Sequence, residues 1–202
     1  MFAAPADLDA FEAKFRRDPD PWATWAARDE RVKRTAILRA LGPHRHARVL
    51  EIGSGNGSNS VPLARRALRL LALDGAPRAV ELTAAALAPH THAQARLARL
   101  PGDVPGVFRG QVSALVAAEV LYYLPPRDLR QLARRLLPRL ARGATVVLAH
   151  HRVPFSDAAQ APARVHGAFH AALAPRRPGA LQPITKSRMW RVERFRLDSP
   201  SV

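Results

Sequence analysis

The chain contains no cysteine, which excludes disulfides, thiolate metal sites and cysteine nucleophiles. It also lacks any apolar run approaching the roughly 18 residues of a membrane-crossing helix. Met1 to Asp9 carries two acids and a proline where a secretion signal needs an apolar stretch. A cytoplasmic protein with no membrane contact is therefore expected. Acids are scarce, with 16 Asp and Glu against 32 Lys and Arg, giving a net charge of +16. Such a balance raises the prospect of phosphate binding. The cations, however, are nearly all arginine and are scattered: Arg16-Arg17, Arg65-Arg66, Arg134-Arg135 and Arg176-Arg177 fall on different predicted elements. Solvated faces explain them better than a nucleic-acid groove does. A length of 202 residues suits a single domain with a real core.

What is present is concentrated in Val49 to Gly57, which reads Val-Leu-Glu-Ile-Gly-Ser-Gly-Asn-Gly. An apolar strand ends in an acid, Glu51, and is followed by glycines at 53, 55 and 57. Glycine tolerates positive φ and leaves no Cβ between backbone and ligand. A helix predicted over 58–68 would turn its free N–H groups toward an anion. Asp74 closes a second apolar run, Leu70 to Leu73, where a carboxylate can accept from both hydroxyls of a ribose. A dinucleotide fingerprint would place its third glycine at 58, but Ser58 stands there. A turn without ligand, or one holding a nicotinamide or flavin, remains an alternative at this point.

Along the chain, helices are predicted over 7–18 and 28–41, separated by the proline-rich Asp18-Pro-Asp-Pro-Trp22. After the glycine-rich turn come strand 69–73, helix 76–88, a third strand somewhere in 90–110, strand 112–118, helix 126–142 and strand 144–149. A helix near 163–173 and strands around 182–187 and 192–197 complete the pattern. Alternating strands and helices predict an α/β fold, a Rossmann-like seven-stranded, mostly parallel sheet with helices on both faces and the last strand antiparallel. The whole of 1–202 is read as one domain, with 1–41 as a helical N-terminal lid and 42–202 as the core.

Glu-Ile-Gly-Ser-Gly-Asn-Gly with an acid at 74 resembles the class I S-adenosylmethionine-dependent methyltransferases. Asp18-Pro-Asp-Pro-Trp22, Glu119-Val-Leu-Tyr-Tyr-Leu124 and His150 narrow the likeness to the nodulation-protein-S type, which N-methylates the free amine of a de-acetylated chitin oligosaccharide. The resemblance implies S-adenosylmethionine as cofactor, with S-adenosylhomocysteine as product. It implies a methionine portion on Gly53, Ser54, Gly55 and Gly57, with Glu51, Gly75 and Glu119 in the cofactor site and Asp74 on the ribose. Three features depart from the family's pattern: Ser113 stands where an Asp is usual, Arg99 aligns with the acid that approaches the adenine amine, and the usual Pro-Gly-Gly before the fifth strand is reduced to Arg142-Gly143.

Methyl transfer needs a nucleophile with a free lone pair at near-attack distance, so an amine must first lose its ammonium proton. The side chains expected to face the acceptor are Trp22, Tyr122, Tyr123, His150 and His151. Glu119 or His150 is the expected proton acceptor, with Tyr122 as orienter. Each has a plainer reading: helix cap for Glu119, wall for the tyrosines, structural hydrogen bonds for the histidines. His166 and His170, one helical turn apart, lack a third ligand nearby, and no metal is expected. A small polar acceptor bearing an amine, an amino sugar or a relative of one, is the favoured substrate, with a monomer or homodimer as the working unit. A nucleic-acid methyltransferase is the rival enzyme reading, although the Asn/Asp-Pro-Pro-aromatic motif of exocyclic-amine methylases is missing and the lack of cysteine excludes pyrimidine C5 adducts. A non-catalytic nucleoside-binding protein on the same scaffold is the third.

Overall fold

The computed structural model describes residues 7–104, 106, 111–154, 156–185 and 187–198. The first six residues of the expected lid and the last four of the expected core lie outside them. Helix α1 (Leu8–Arg17) starts where the Asp7 carboxylate accepts from the backbone N–H groups of Asp9 and Ala10, each at 3.1 Å. It ends with Lys14, Arg16 and Arg17 against the negative end of its dipole. Helix α2 (Arg28–Leu41) stops at Gly42, whose φ of 91° an L side chain rarely adopts.

Strands β1 (His46–Ile52), β2 (Ala67–Asp74), β3 (Ala93–Leu97), β4 (Val112–Ala118), β5 (Leu140–His151), β6 (Gln182–Pro183) and β7 (Trp190–Arg196) form one sheet in the order β3-β2-β1-β4-β5-β7-β6. The five strands β1 to β5 are parallel, and β7 runs antiparallel between β5 and β6. The expected sheet is therefore observed, with its antiparallel final strand. The order reverses between β1 and β4, so a crevice opens beyond their C-terminal ends.

Two apolar layers cover the sheet. Leu50, Ile52, Leu71, Leu73, Leu115, Val146 and Leu148 pack under helices α5 (Pro126–Leu136) and α6 (Val165–Ala172). On the other face Val49, Leu70, Val116, Val147 and Val192 meet α2 and the helices α3 (Ser60–Ala64) and α4 (Pro77–Leu87). Ile37 and Ala40 of α2 are fully buried there, so α2 is a core helix. Helix α1 and the segment through Trp22 and Thr24 overlie the crevice, and α2 adds Glu30 and Lys33 to its lining while its other face packs on the core.

Three predicted spans change for physical reasons. The helix expected over 58–68 is a five-residue turn, Ser60–Ala64, because Ala67 already pairs with His46 in the parallel ladder. So short a helix offers little dipole to an anion. The helix expected over 126–142 ends at Leu136, since Pro138 cannot donate a backbone hydrogen bond and its ring collides with the preceding turn. Strand β5 instead begins at Leu140 and contains an irregularity at Gly143, φ 68°, where the register against β4 shifts. Among the described residues no helix is long and apolar enough to cross a membrane.

Candidate active site

The glycine-rich turn leaves β1 at Gly53, where the N–H groups of Gly53 and Ser54 both donate to Leu73 O, at 2.8 and 3.0 Å. Gly53 has φ 75°, and a Cβ there would lie 2.6 Å from Val120 Cβ. The turn therefore touches the loop after β4, and only glycine fits between them. Gly55 has φ 56° and faces the crevice, its N–H donating to Asp74 Oδ2 at 2.8 Å. Asp74 Oδ1 accepts from Ala76 N at 3.0 Å, so each carboxylate oxygen keeps a second lone pair. Burial pushes the Asp74 carboxyl up, against the backbone N–H groups that stabilise its anion.

Gly57 and Glu51 sit elsewhere than the cofactor role assigned to them requires. A Cβ on Gly57 would meet Thr83 Cα and Ala86 Cβ at 3.1 Å, so this glycine lets the turn pack on α4 and does not line the crevice. Glu51 is fully buried behind the turn, its Oε2 accepting from Ser60 Oγ at 2.5 Å while Oε1 has no partner. Burial, with a smaller contribution from the charge of Asp74, pushes its carboxyl up to about 8, so it is protonated at neutral pH.

The loop after β4 forms the second wall. Glu119 adopts φ 53°, an uncommon conformation for a residue with a Cβ. Its Oε1 accepts from Lys33 Nζ at 2.6 Å and His151 Nδ1 at 2.9 Å. Its Oε2 accepts from the Tyr122 hydroxyl at 2.5 Å and from His151 N at 3.1 Å. Burial raises this carboxyl, but His151 and Lys33 outweigh it and hold the group well below the usual carboxylate range. With two donors already on each oxygen, Glu119 is placed as a hydrogen-bond acceptor, and a proton arriving there would displace one of them, which counts against the expected role of base. Tyr122 is buried, and burial together with the Glu119 charge keeps its hydroxyl protonated.

His150 is also corrected. Its Nε2 accepts from the N–H groups of Val120 and Leu121, at 3.3 and 3.1 Å. Its Nδ1 must then carry the hydrogen and donate to His166 Nε2 at 2.9 Å, and His166 Nδ1 donates to Glu193 Oε2 at 2.8 Å. Burial holds His150 well below the ordinary histidine range. This side chain is 1% exposed and is absent from the crevice lining, so it braces the loop and does not touch a substrate. Gln160 braces the same loop, its Nε2 donating to Leu124 O at 2.7 Å and Leu121 O at 3.4 Å. His170 turns away to Gly179 O, 2.8 Å distant.

The N-terminal segment roofs the crevice. Trp22 stacks its ring near Phe15 and Phe11, at 5.4 and 6.1 Å between centroids, and Phe11 meets Tyr123 edge-on at 4.9 Å. Asn56 ties this roof to the glycine-rich turn, donating to Asp20 Oδ1 at 2.8 Å and Pro19 O at 3.2 Å while accepting from Thr24 Oγ1 at 3.0 Å. Leu8 covers Gly75, where a Cβ would stand 2.8 Å from Leu8 Cδ2.

Between these parts lies a cavity of about 620 Å³. Of the expected residues, Trp22, Gly53, Ser54, Gly55, Asp74, Gly75, Glu119, Tyr122, Tyr123 and His151 line it. Glu51, Gly57 and His150 do not. Lys33, which the sequence reading missed, does line it: its side chain is 2% exposed and bridges Glu30 and Glu119. The signal was present, because Lys33 interrupts the apolar stripe of Ala36, Ile37, Ala40 and Leu41. Two of the three departures from the family pattern lie away from the cavity lining. Ser113 Oγ accepts from Arg48 N and donates to Arg48 O, both at 3.0 Å, at the far end of the strands. Ala98 and Leu100 reach the cavity while Arg99 between them does not.

The cavity's charge runs against that of the chain. Among the described residues, carboxylates of Glu30, Asp74, Glu119, Asp128 and Asp157 line it, with Lys14 and Lys33 as cations and no arginine.

A family model described as a methyltransferase domain matches residues 49–143. No curated protein matches the chain. Among solved structures, the N-methyltransferase NodS from Bradyrhizobium japonicum in complex with S-adenosylhomocysteine superposes with a TM-score of 0.77 at 21% identity, covering 95% of this chain and 98% of that one. A putative methyltransferase from Pseudomonas syringae gives 0.65 at 29% identity, covering 83% and 98%. A phosphoethanolamine N-methyltransferase from Haemonchus contortus gives 0.62 at 18% identity, covering 75% of this chain and 34% of that one.

Proposed function

We propose that this chain, a class I S-adenosylmethionine-dependent methyltransferase, methylates the amine of a small polar acceptor, an amino sugar or a compound like one. The observation that carries the proposal is the acidic cavity in a chain of net charge +16. A sulfonium and an ammonium are both cations, and carboxylates in a sheltered cleft favour them. The same carboxylates repel the phosphates of a nucleic acid, so the basic surface does not extend into the site. That two of the similar structures are N-methyltransferases supports this reading.

The residues present fit the cofactor, which supplies a methyl group on a sulfonium when bound. Asp74 has unused lone pairs for the two ribose hydroxyls, and Gly53, Ser54, Gly55 and Gly75 present backbone without bulk to the methionine portion. Tyr122, Glu119, Trp22, Tyr123 and His151 line the same cavity and would form the wall around the acceptor.

Replacing Asp74 by Ala is expected to weaken S-adenosylhomocysteine binding by about 1.5–3 kcal/mol, or roughly 10- to 150-fold in Kd by calorimetry. An unchanged affinity would place the ribose elsewhere. The acceptor class is tested by following S-adenosylhomocysteine release with amino sugars, their hydroxyl counterparts and RNA. Turnover with amines alone is expected, whereas turnover with RNA alone would overturn the proposal.

A further inference from the structure

We infer that His151, through Nε2, is the group that removes the acceptor's ammonium proton, and that Glu119 fixes the imidazole instead of acting as base. The inference rests on the amine reading above. His151 is the last residue of β5, and its side chain is 40% exposed and lines the cavity. Glu119 holds it twice, accepting from the ring Nδ1 at 2.9 Å and from the backbone N at 3.1 Å. A hydrogen on Nδ1 puts the lone pair on Nε2, at the opposite edge of the ring. Base and orienting carboxylate are thus within hydrogen-bond reach of one another, the arrangement that activates a nucleophile in other group-transfer sites.

The neighbouring candidates are already committed. Both Glu119 oxygens are engaged by Lys33, Tyr122 and His151, so a proton arriving there would displace one of these donors. His150 spends its Nε2 lone pair on two backbone N–H groups. The titratable groups that face Glu119 or share the cavity with the His151 ring include Lys33 and Glu30 on α2, Tyr122 and Tyr123 on the loop, His150 beside it on β5, and the Lys14–Asp157 pair, 3.6 Å apart. Lys33 offsets the charge of Glu119, which keeps the carboxylate an orienter of the ring without its drawing the proton onto itself.

The ammonium gives a proton to Nε2 and exposes its nitrogen lone pair. The N–C bond to the methyl then forms as the C–S bond breaks, its electron pair passing to sulfur. The product leaves as a methylated ammonium, and the imidazolium returns its proton to water through its exposed edge.

The test is a pH series of kcat/KM with glucosamine and a panel of other primary amines, comparing the wild-type chain with His151→Gln and His151→Ala. Below the amine's own pKa the variants are expected to lose roughly 10²–10⁴-fold. As the pH rises past that value the acceptor sheds its proton unaided, so the gap should close. Added imidazole should restore part of the His151→Ala rate. Calorimetric binding of S-adenosylhomocysteine to both variants reports that they are folded. Amines methylated with a deficit that is the same at every pH and insensitive to imidazole, or with no deficit, would overturn the His151 assignment alone. Failure of every amine, with turnover of an alcohol or a carbon acid instead, would overturn the amine reading and this inference with it.

Discussion

Glu119→Gln is expected to slow methyl transfer by roughly 10²–10⁴-fold, equivalent to about 2.7–5.5 kcal/mol of transition-state stabilisation, while S-adenosylhomocysteine still binds. The carboxylate receives four hydrogen bonds, two on each oxygen, from Lys33, the His151 ring, Tyr122 and the His151 backbone. An amide of the same size keeps one acceptor oxygen and turns an NH2 group toward donors that need an acceptor. At least one of those donors loses its partner, and the imidazole loses the carboxylate that fixes its orientation. If Glu119 and His151 act as one unit, the double variant should cost about as much as the worse single one, since members of a catalytic group are strongly non-additive. Steady-state rates for the two single variants and the double one give the result. Wild-type turnover in Glu119→Gln would remove this residue from the reaction.

Much of this site was readable because its signals are local. Val49 to Gly57 holds a strand, a turn that needs positive φ and an acid within a few residues, and Asp74 closes the next strand at a position the pattern fixes. The Glu119 loop was readable for the same reason, as the polar end of the apolar run Val112 to Ala118. What escaped was tertiary. Side chains alternate faces along a strand, so adjacent His150 and His151 had to part, but the sequence offered no anchor for which went where. In the fold Val146, Leu148 and His150 turn toward α5 and α6, where His166 waits, and Val147, Ala149 and His151 turn the other way. Gln160 and Lys33 reach the loop from 36 and 86 residues away, distances over which periodicity carries no information. Glu51 was misplaced because the turn that starts two residues after it, Gly53 to Gly55, lines the crevice, while its own strand position points it into the core.

Lys33→Met is expected to destabilise the fold by about 3–5 kcal/mol at neutral pH, the usual cost of breaking a buried ion pair from one side. The lysine stem is packed with the apolar stripe of α2, and its ammonium lies 2.7 Å from Glu30 and 2.6 Å from Glu119. Methionine fills the stem's space and supplies no charge, so Glu30 can turn to solvent but Glu119, tied to His151 and Tyr122, cannot. The sign of the pH dependence follows from the carboxylate. A depressed carboxyl stabilises the fold above its ordinary value of 4.5, and that contribution fades as the pH falls toward the folded value. Without Lys33 the folded carboxyl titrates higher and contributes less. The two proteins should therefore differ most near neutrality and converge in acid. Urea unfolding at a series of pH values measures this, and equal midpoints at pH 7 would mean that the Lys33–Glu119 pair adds nothing over a methionine. A loss of stability would further tie α2 to the loop after β4, because the same ammonium that steadies the core helix also holds the carboxylate that orients His151.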